Sequence, residues 1–255
     1  MSERQNMANG MILGISGFAG SGKDTAAEFL IKNFGFGRIG LADELKRICY
    51  RVFDFSEEQL WGPSSARNAM DLRYPREHTW ATDGSWQCFC CGAVKNAPEE
   101  EMPKCYLTPR FALQRLGTEW GRHCYDDIWI DHALQTAKQL VKFELSYSAK
   151  TGLHEVAATC RPSPVEPWSS CYSNVTGVTF SDIRFHNEVR SVRRHGGKLI
   201  RLKRNTSLDG AASNHASEKE MLEMKDEDFD LVIDNSDITL EELEARVSEA
   251  YRCLC

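Results

Sequence analysis

The sequence predicts an α/β chain: a parallel five-stranded sheet flanked by helices, with a helical subdomain and a cysteine-rich insert. Three observations predict it. The short, wholly apolar run "MILGIS" (11–16) suits a central strand covered on both faces. Four further strand-like runs, "GFGRIGLA" (35–42), "GVTFSDIR", "KLIRLKR" and "FDLVIDN", alternate with helix-like segments, as successive right-handed βαβ crossovers require. The interval between the second and third runs is too long for a single crossover, so it holds a subdomain of its own.

Residues 1–10 are polar and read as a disordered arm. A helix follows the first strand from about Asp24 to Asn33, with Phe29 and Leu30 inward and Gly35 closing it. "DELKRICYRVF" (43–53) is amphipathic, with Leu45, Ile48 and Val52 on one face. From Asp54 to Tyr106 the periodicity fades into turn residues, arginines and cysteines. It returns at "TPRFALQRLGTEWGR", where Thr108 can cap a helix and Pro109 fits its first turn. "DIWIDHALQTAKQLVKFEL" (127–145) is a second clear helix, and 146–175 is loop-like, rich in proline and serine. Toward the C-terminus, "FHNEVRSVRRHGG" is a helix with a glycine stop, "NHASEKEMLEM" a charged helix start, and "TLEELEARVSEAYRC" a terminal helix. The expected organisation is one domain over 1–255 with a helical subdomain at 54–145, a cysteine-rich insert at about 78–106 and a loop insert at 146–175.

The chain has 255 residues, enough for a full core, and a net charge of −6, which speaks against a general nucleic-acid coat. The N-terminal residues lack the apolar stretch of a signal peptide and no run is long enough to span a bilayer, so a cytosolic protein with no membrane partner is expected. In a reducing compartment the ten cysteines read as metal ligands or plain thiols rather than disulfides.

The stretch "GFAGSGKDT", Gly17 to Thr25, follows the first strand and opens the first helix. Residues Gly17 to Lys23 match the first seven positions of the P-loop pattern in the context that pattern needs. Glycines let successive main-chain amides turn inward around a phosphate, the helix N-terminus adds partial positive charge, and Lys23 reaches the outer phosphates. Asp24 stands where such loops carry a hydroxyl that ligates Mg²⁺; a carboxylate can bind Mg²⁺ through water, or Thr25 can take the contact. A P-loop implies a nucleotide, not a particular reaction.

Three other stretches hold polar residues that the fold does not require. The first carries Arg110, Gln114, Gly117, Thr118, Arg122 and Trp129; Gly117 and Thr118 are expected to interrupt the helix where a ligand could approach the backbone. In "FSDIRFHNE", Asp182 ends a strand at the carboxyl edge, Arg184 follows two residues on, and Glu188 lies a turn into the helix. Asp182 could orient Mg²⁺ or an acceptor, and Arg184 could clamp phosphate with its forked head. In the third, Arg201, Lys203 and Arg204 lead into a loop ending in His215 and Glu218, which suits a lid over 204–218. Each also has a plain structural reading as a surface charge, a helix cap or a core aromatic.

Taken in order, "SGKDT", "LADELKR", "TPRFALQRLGTEWGR" with "DIWID", "SDIRFHNE", "HASE" and "VIDNSDITLEEL" resemble the deoxynucleoside monophosphate kinases of tailed bacteriophages, a branch of the P-loop nucleoside monophosphate kinases. The resemblance implies a P-loop kinase-like fold and Mg²⁺-dependent transfer of the γ-phosphoryl group of ATP to a deoxynucleoside 5′-monophosphate. It implies that Gly20, Gly22, Lys23, Asp24 and Thr25 hold ATP and that Arg110, Gly117, Thr118, Trp129, Asp182, Arg184 and Glu188 receive the acceptor. Arg204 would belong to the lid, and Lys23, Asp182, Arg184 and Arg204 would be the catalytic set. Asp24 is then a family variant. Neither the cysteine segment nor residues 146–175 match any family motif, and base preference and dimerisation stay open. The rival readings are a P-loop kinase for another small acceptor, such as dephospho-coenzyme A, and a non-catalytic, nucleotide-dependent binding module.

"CFCCG" followed by "PKC" gives a C-x2-C-G start at Cys88 and Cys91, with Cys105 fourteen residues on. Structural Zn²⁺ needs four ligands. Cys90, His78, Cys160 or Cys171 could supply the fourth, and the metal would staple an insert that lacks its own core.

Overall fold

The structure, a computed structural model, describes residues 10–81, 86–95, 104–151, 175–204 and 216–254, with side chains given outside 142–151 and 216–219. In chain order the elements are β1 (Met11–Ser16), α1 (Lys23–Phe34), β2 (Phe36–Arg38), α2 (Asp43–Phe53), α3 (Glu57–Trp61), α4 (Ser64–Asn68), β3 (Asp71–Arg76) and β4 (Cys105–Leu107). Then come α5 (Pro109–Gln114), a π-helical segment (Arg115–Arg122), α6 (Ile128–Thr151), β5 (Gly177–Ile183), α7 (His186–Arg194), β6 (Lys198–Lys203), α8 (Ala216–Glu223), a 3-10 turn (Asp226–Asp228), β7 (Leu231–Asp234) and α9 (Leu240–Leu254). No helix among the described residues is long and apolar enough to cross a membrane. The arm at 1–9 and most of the 146–175 segment lie outside the described residues, but α6 runs to Thr151, into the stretch expected as loop.

The chain divides into two compact units, Met1–Leu41 with Asp127–Cys255, and Ala42–Asp126. The first is built on the expected five-stranded parallel sheet, in the order β2-β5-β1-β6-β7. Its strands are apolar on both sides because each face carries helices. Ile12, Val178, Phe180 and Leu199 pack on one side with Ile130, Leu134 and Val192. Leu13, Ile15, Ile200, Leu202 and Ile233 pack on the other with Leu30, Leu243 and Val247. β1 lies between its two sequence-distant neighbours, so the strand order reverses there, and the crevice beyond the carboxyl ends of β1 and its neighbours is where open α/β sheets take ligands.

One irregularity in the sheet sets the position of Asp182. Gly14 pairs with Phe180 but Ser16 pairs with Ile183, so β5 takes three steps where β1 takes two. The extra residue is a bulge, which shifts the in-out alternation by one. Ile183 therefore returns to the same core as Val178 and Phe180, while Asp182 is left half-exposed at the strand end.

The second unit has its own core, in which Cys49, Phe55, Leu60 and Ala112 are buried against Phe53, Tyr74, Leu107 and Leu116. Burial pushes the Cys49 thiol up to about 11, so it behaves as a small apolar group. The boundary differs from the one expected at 54–145. α2 packs against α3 and α5 and belongs here, whereas α6 sends Ile130 and Leu134 into the core of the first unit. The periodicity-poor stretch also contains structure that its sequence hid. α3 is closed by a capping box between Ser56 and Gln59, and β3 and β4 form a short antiparallel ribbon bulged between Asp71 and Pro75.

Asp71 ties these pieces together. Its carboxylate, almost fully buried, accepts from the Arg73 guanidinium at 2.7 and 2.9 Å, from the Arg73 main-chain N–H at 3.1 Å, and from Gln59 at 3.1 Å. The Arg73 hydrogen bonds, foremost, hold it well below the usual carboxylate range, against the opposing effect of burial. A carboxyl with a depressed folded pKa stabilises fully at neutral pH, and that contribution is lost as the pH falls below its unfolded pKa. Asp71→Asn is expected to cost about 1–3 kcal/mol at pH 7. In urea unfolding the gap to wild type should narrow toward about pH 3; an equal gap at both pH values would contradict the assignment.

Candidate active site

The carboxyl edge of the parallel sheet gathers most of the residues singled out from the sequence. β1 ends at Ser16 and runs into the glycine loop; its register partners are Ile183 on β5 and Arg201 on β6. Asp182 and Arg184 flank Ile183, and Arg204 and Asn235 follow the paired strand ends Lys203 and Asp234. All these strands run the same way, so their C-terminal residues come out on one side.

The loop itself is tightly specified. Gly22 precedes α1 with φ 93°, a left-handed conformation that costs a side chain. A Cβ there would also lie 2.5 Å from the Asn235 amide nitrogen, and one at Gly17 would lie 2.7 Å from the Leu202 carbonyl oxygen. Ser21 N–H donates to the Phe18 carbonyl at 3.1 Å, closing the turn. Asn235, buried at the end of β7, donates from Nδ2 to the Ser21 carbonyl at 2.8 Å. Lys23 is buried, and its ammonium donates to the Phe18 carbonyl at 3.4 Å, so the cation lies across the loop. The Ser21 Oγ is buried without a hydrogen-bond partner among the described residues. A buried hydroxyl, a cation folded over the loop and a helix N-terminus form a cradle that fits phosphate oxygens.

Asp24 pairs with Arg38 at the end of β2, 2.6 Å apart, both side chains well exposed. Thr25 sits half-buried on the first turn of α1. Arg204 is exposed and donates to the Gly20 carbonyl at 3.4 Å, which brings the first residue of the expected lid onto the loop. Residues 205–215 of that lid, His215 included, lie outside the described residues. Arg201 and Lys203 do not belong to a lid. Both lie on β6, where Arg201 donates to the Met224 and Met221 carbonyls and both cations pair with Asp226. They tie α8 and the 3-10 turn to the sheet.

At the end of β5, Arg184 Nε donates to Asp182 at 2.6 Å. The Glu188 carboxylate is buried and accepts from the main-chain N–H groups of Arg184 at 2.8 Å and Phe185 at 3.1 Å. Glu188 thus satisfies two amides at the start of α7 and fixes the turn carrying Arg184. Nearby, Asp127 accepts from Asn187 at 2.8 Å and Arg194 at 3.3 Å, joining the start of α6 to α7, while Trp129 on α6 is buried.

In the second unit, Arg110 is exposed on α5 and donates from Nε to Asn68 at 2.6 Å. The expected break at Gly117 and Thr118 is absent. The chain continues from α5 as a π-helix through Arg122, a widened geometry that recurs at functional sites. Gly117 is buried, with Leu45 Cδ1 3.1 Å from where a Cβ would stand, so its lack of a side chain admits Leu45; Thr118 is exposed.

The cysteine segment falls in this unit as well. Of the candidate fourth ligands, His78 joins Cys88, Cys91 and Cys105, with one donor atom from each lying within 4.8 Å of the others. Cys90 points elsewhere, donating to the Tyr106 carbonyl at 3.0 Å, and Cys160 and Cys171 lie outside the described residues.

Sequence reading missed three contributors: Asn235, Arg38 and Asp127. Asn235 had a signal, a polar residue closing the strand-like run "FDLVIDN" at the carboxyl edge. The other two had none, because their partners are 14 and 60 or more residues away.

No protein-family model matches the chain. It is 28% identical over 245 residues to a protein of Acanthamoeba polyphaga mimivirus named "Putative deoxynucleotide monophosphate kinase", covering 93% of this chain and 94% of that protein. That similarity runs along nearly the whole length of both proteins.

Proposed function

We propose that the protein transfers the γ-phosphoryl group of ATP to a deoxynucleoside 5′-monophosphate, giving the diphosphate, with Mg²⁺ as cofactor and a structural Zn²⁺ in the cysteine segment. The observation that carries this reading is the shared carboxyl edge, where the glycine loop, Arg184 and Arg204 emerge together. The viral relative's name supports the acceptor class.

In this reading Gly20, Gly22, Lys23, Asp24 and Thr25 hold ATP. The acceptor is assigned to Arg110, Gly117, Thr118, Trp129, Asp182, Arg184 and Glu188, the last acting through the turn it holds. The Thr25 hydroxyl and the carboxylates of Asp24 and Asp182 are hard oxygen donors of the kind Mg²⁺ prefers. Mg²⁺, when bound, neutralises charge on the phosphoryl oxygens. Lys23 and the loop amides orient the transferring group, while Arg184 and Arg204 counter the charge that spreads over its oxygens. No general base is needed, because the acceptor phosphate is already ionised at neutral pH.

The test is ADP formation from ATP and Mg²⁺ with a panel of deoxy- and ribonucleoside monophosphates plus dephospho-coenzyme A. Turnover with one or more deoxynucleoside monophosphates is expected. Turnover with dephospho-coenzyme A alone would move the protein to another P-loop kinase class, and ATP binding without any turnover would make it a binding module.

A further inference from the structure

We infer that one Zn²⁺ held by His78, Cys88, Cys91 and Cys105 is the clip that fixes the β4–α5 junction and so the start of the helix carrying Arg110.

Two of the donor separations match the edges of a single tetrahedral metal site, and all four donor atoms lie within 4.8 Å of one another. With Zn–S near 2.3 Å and Zn–N near 2.0–2.1 Å, tetrahedral edges come to about 3.8 Å for sulfur to sulfur and about 3.6 Å for sulfur to nitrogen. The Cys88 and Cys105 sulfurs are 3.8 Å apart, and Cys91 Sγ is 3.6 Å from His78 Nδ1. A disulfide would need about 2.05 Å. The surroundings are those of a metal knuckle. Gly92, at φ 75°, closes the turn with its N–H on the Cys88 carbonyl at 2.9 Å. Cys88 and Cys105 are buried, and the Trp80 ring stacks on His78 at 4.6 Å, covering the imidazole.

The ligands come from three places: His78 beyond β3, Cys88 and Cys91 on one turn, and Cys105 as the first residue of β4. Main-chain pairing brings them close: Phe89 N–H donates to the Thr79 carbonyl at 2.9 Å, Ala81 N–H donates to the Gln87 carbonyl at 2.8 Å, and Arg76 pairs with Cys105 across the ribbon. Among the described residues the buried apolar cluster here is Cys88, Cys90, Cys105 and Phe111, with Trp80, Cys91 and Leu107 partly buried against it, a small core for a segment of this length and one that a crosslink would reinforce.

The knuckle also reaches the helix. Cys90, between the first two cysteine ligands, accepts at its carbonyl from Thr108 Oγ1 at 3.5 Å and donates to the carbonyl of Tyr106. Thr108, buried, is the N-cap of α5 and accepts from Phe111 N–H at 3.2 Å. Two residues therefore lie between the metal ligand Cys105 and a helix cap whose hydroxyl is already engaged with the knuckle. Releasing the metal frees both sides of that junction. Metal binding here does not depend on the phosphotransfer reading.

The full chain, purified without chelator, should carry about one equivalent of zinc by elemental mass spectrometry. Replacement with Co²⁺ should give the intense d–d bands of a tetrahedral thiolate site. Cys91→Ser and His78→Asn should lose the zinc or alter the Co²⁺ spectrum, while Cys90→Ser keeps both, which separates ligands from packing cysteines. Stripping the metal should speed deuterium exchange of α5 amides by about tenfold or more, with β1 and β6 unchanged. Zinc below about a tenth of an equivalent would end the proposal, as would loss of zinc in Cys90→Ser with retention in Cys91→Ser. Unchanged exchange in α5 after stripping would overturn the coupling to the helix.

Discussion

Replacing Lys23 by alanine is expected to lower turnover by about a thousandfold while the protein stays folded. The lysine is the only cation within the glycine loop, and it is positioned before any ligand arrives: buried, with its ammonium 3.4 Å from the Phe18 carbonyl. Charge held in place at a site screened from water acts strongly on the transferring phosphoryl group because no reorganisation is needed at the moment of reaction. The structural cost of the change is small by comparison. Alanine suits the first turn of a helix, and the loop keeps its glycine conformations and the Asn235 bond to the Ser21 carbonyl. Initial rates with ATP, Mg²⁺ and the best acceptor, beside a thermal melt, give both halves of the result. Lys23→Arg should recover only a fraction, since a planar fork does not replace a compact ammonium on a short path to the loop. Rates near wild type in Lys23→Ala would remove the lysine from the mechanism.

The second large effect belongs to Arg184. Arg184→Ala is expected to cut turnover by about a hundred- to a thousandfold, through a charge that matters most when the phosphoryl group is between its partners. Its placement explains why. The bulge in β5 leaves Asp182 at the strand tip, Asp182 holds the guanidinium at 2.6 Å, and Glu188 pins the turn through two main-chain amides. Arg184 is thus braced from its side chain and from its backbone. The Asp182–Arg184 pair is more than a third exposed on both sides, so losing it should change stability by less than about 1 kcal/mol. ATP affinity by calorimetry should be nearly unchanged, with the loss in turnover and in the acceptor KM. Arg184→Lys should restore part of the rate but not the acceptor KM, because a point charge lacks the two-pronged contact. An equal fall in ATP affinity would place Arg184 on the nucleotide donor instead.

How far each part could be read depended on how local its cause was. The bounds of α2 were legible, because an amphipathic run between Asp43 and Phe53 leaves little choice, but its expected face was not: Leu45 is buried with Cys49, while Val52 is exposed. The five strands were legible because runs buried on both faces are apolar throughout. β3 and β4 were not, since a two-stranded ribbon with half of its β3 side chains facing solvent carries neither an apolar run nor a clean alternation. The helix through Gly117 was misjudged for a related reason. A glycine reads as a break, yet here the missing side chain makes room for Leu45, a neighbour 72 positions earlier in the chain.

The sequence by itself determined the sheet, the glycine loop and the cysteine spacing, because each follows from neighbours within a few residues: unbroken apolar runs, positive-φ glycines beside a helix start, two thiols on one turn. Tertiary structure alone decided which distant groups complete them. Asn235 reaches the loop from β7, Arg201 and Lys203 turn to Asp226 rather than outward, and His78 rather than Cys90 meets the three cysteines. Those choices depend on strand order, register and one bulge, which bring together residues that no local pattern relates.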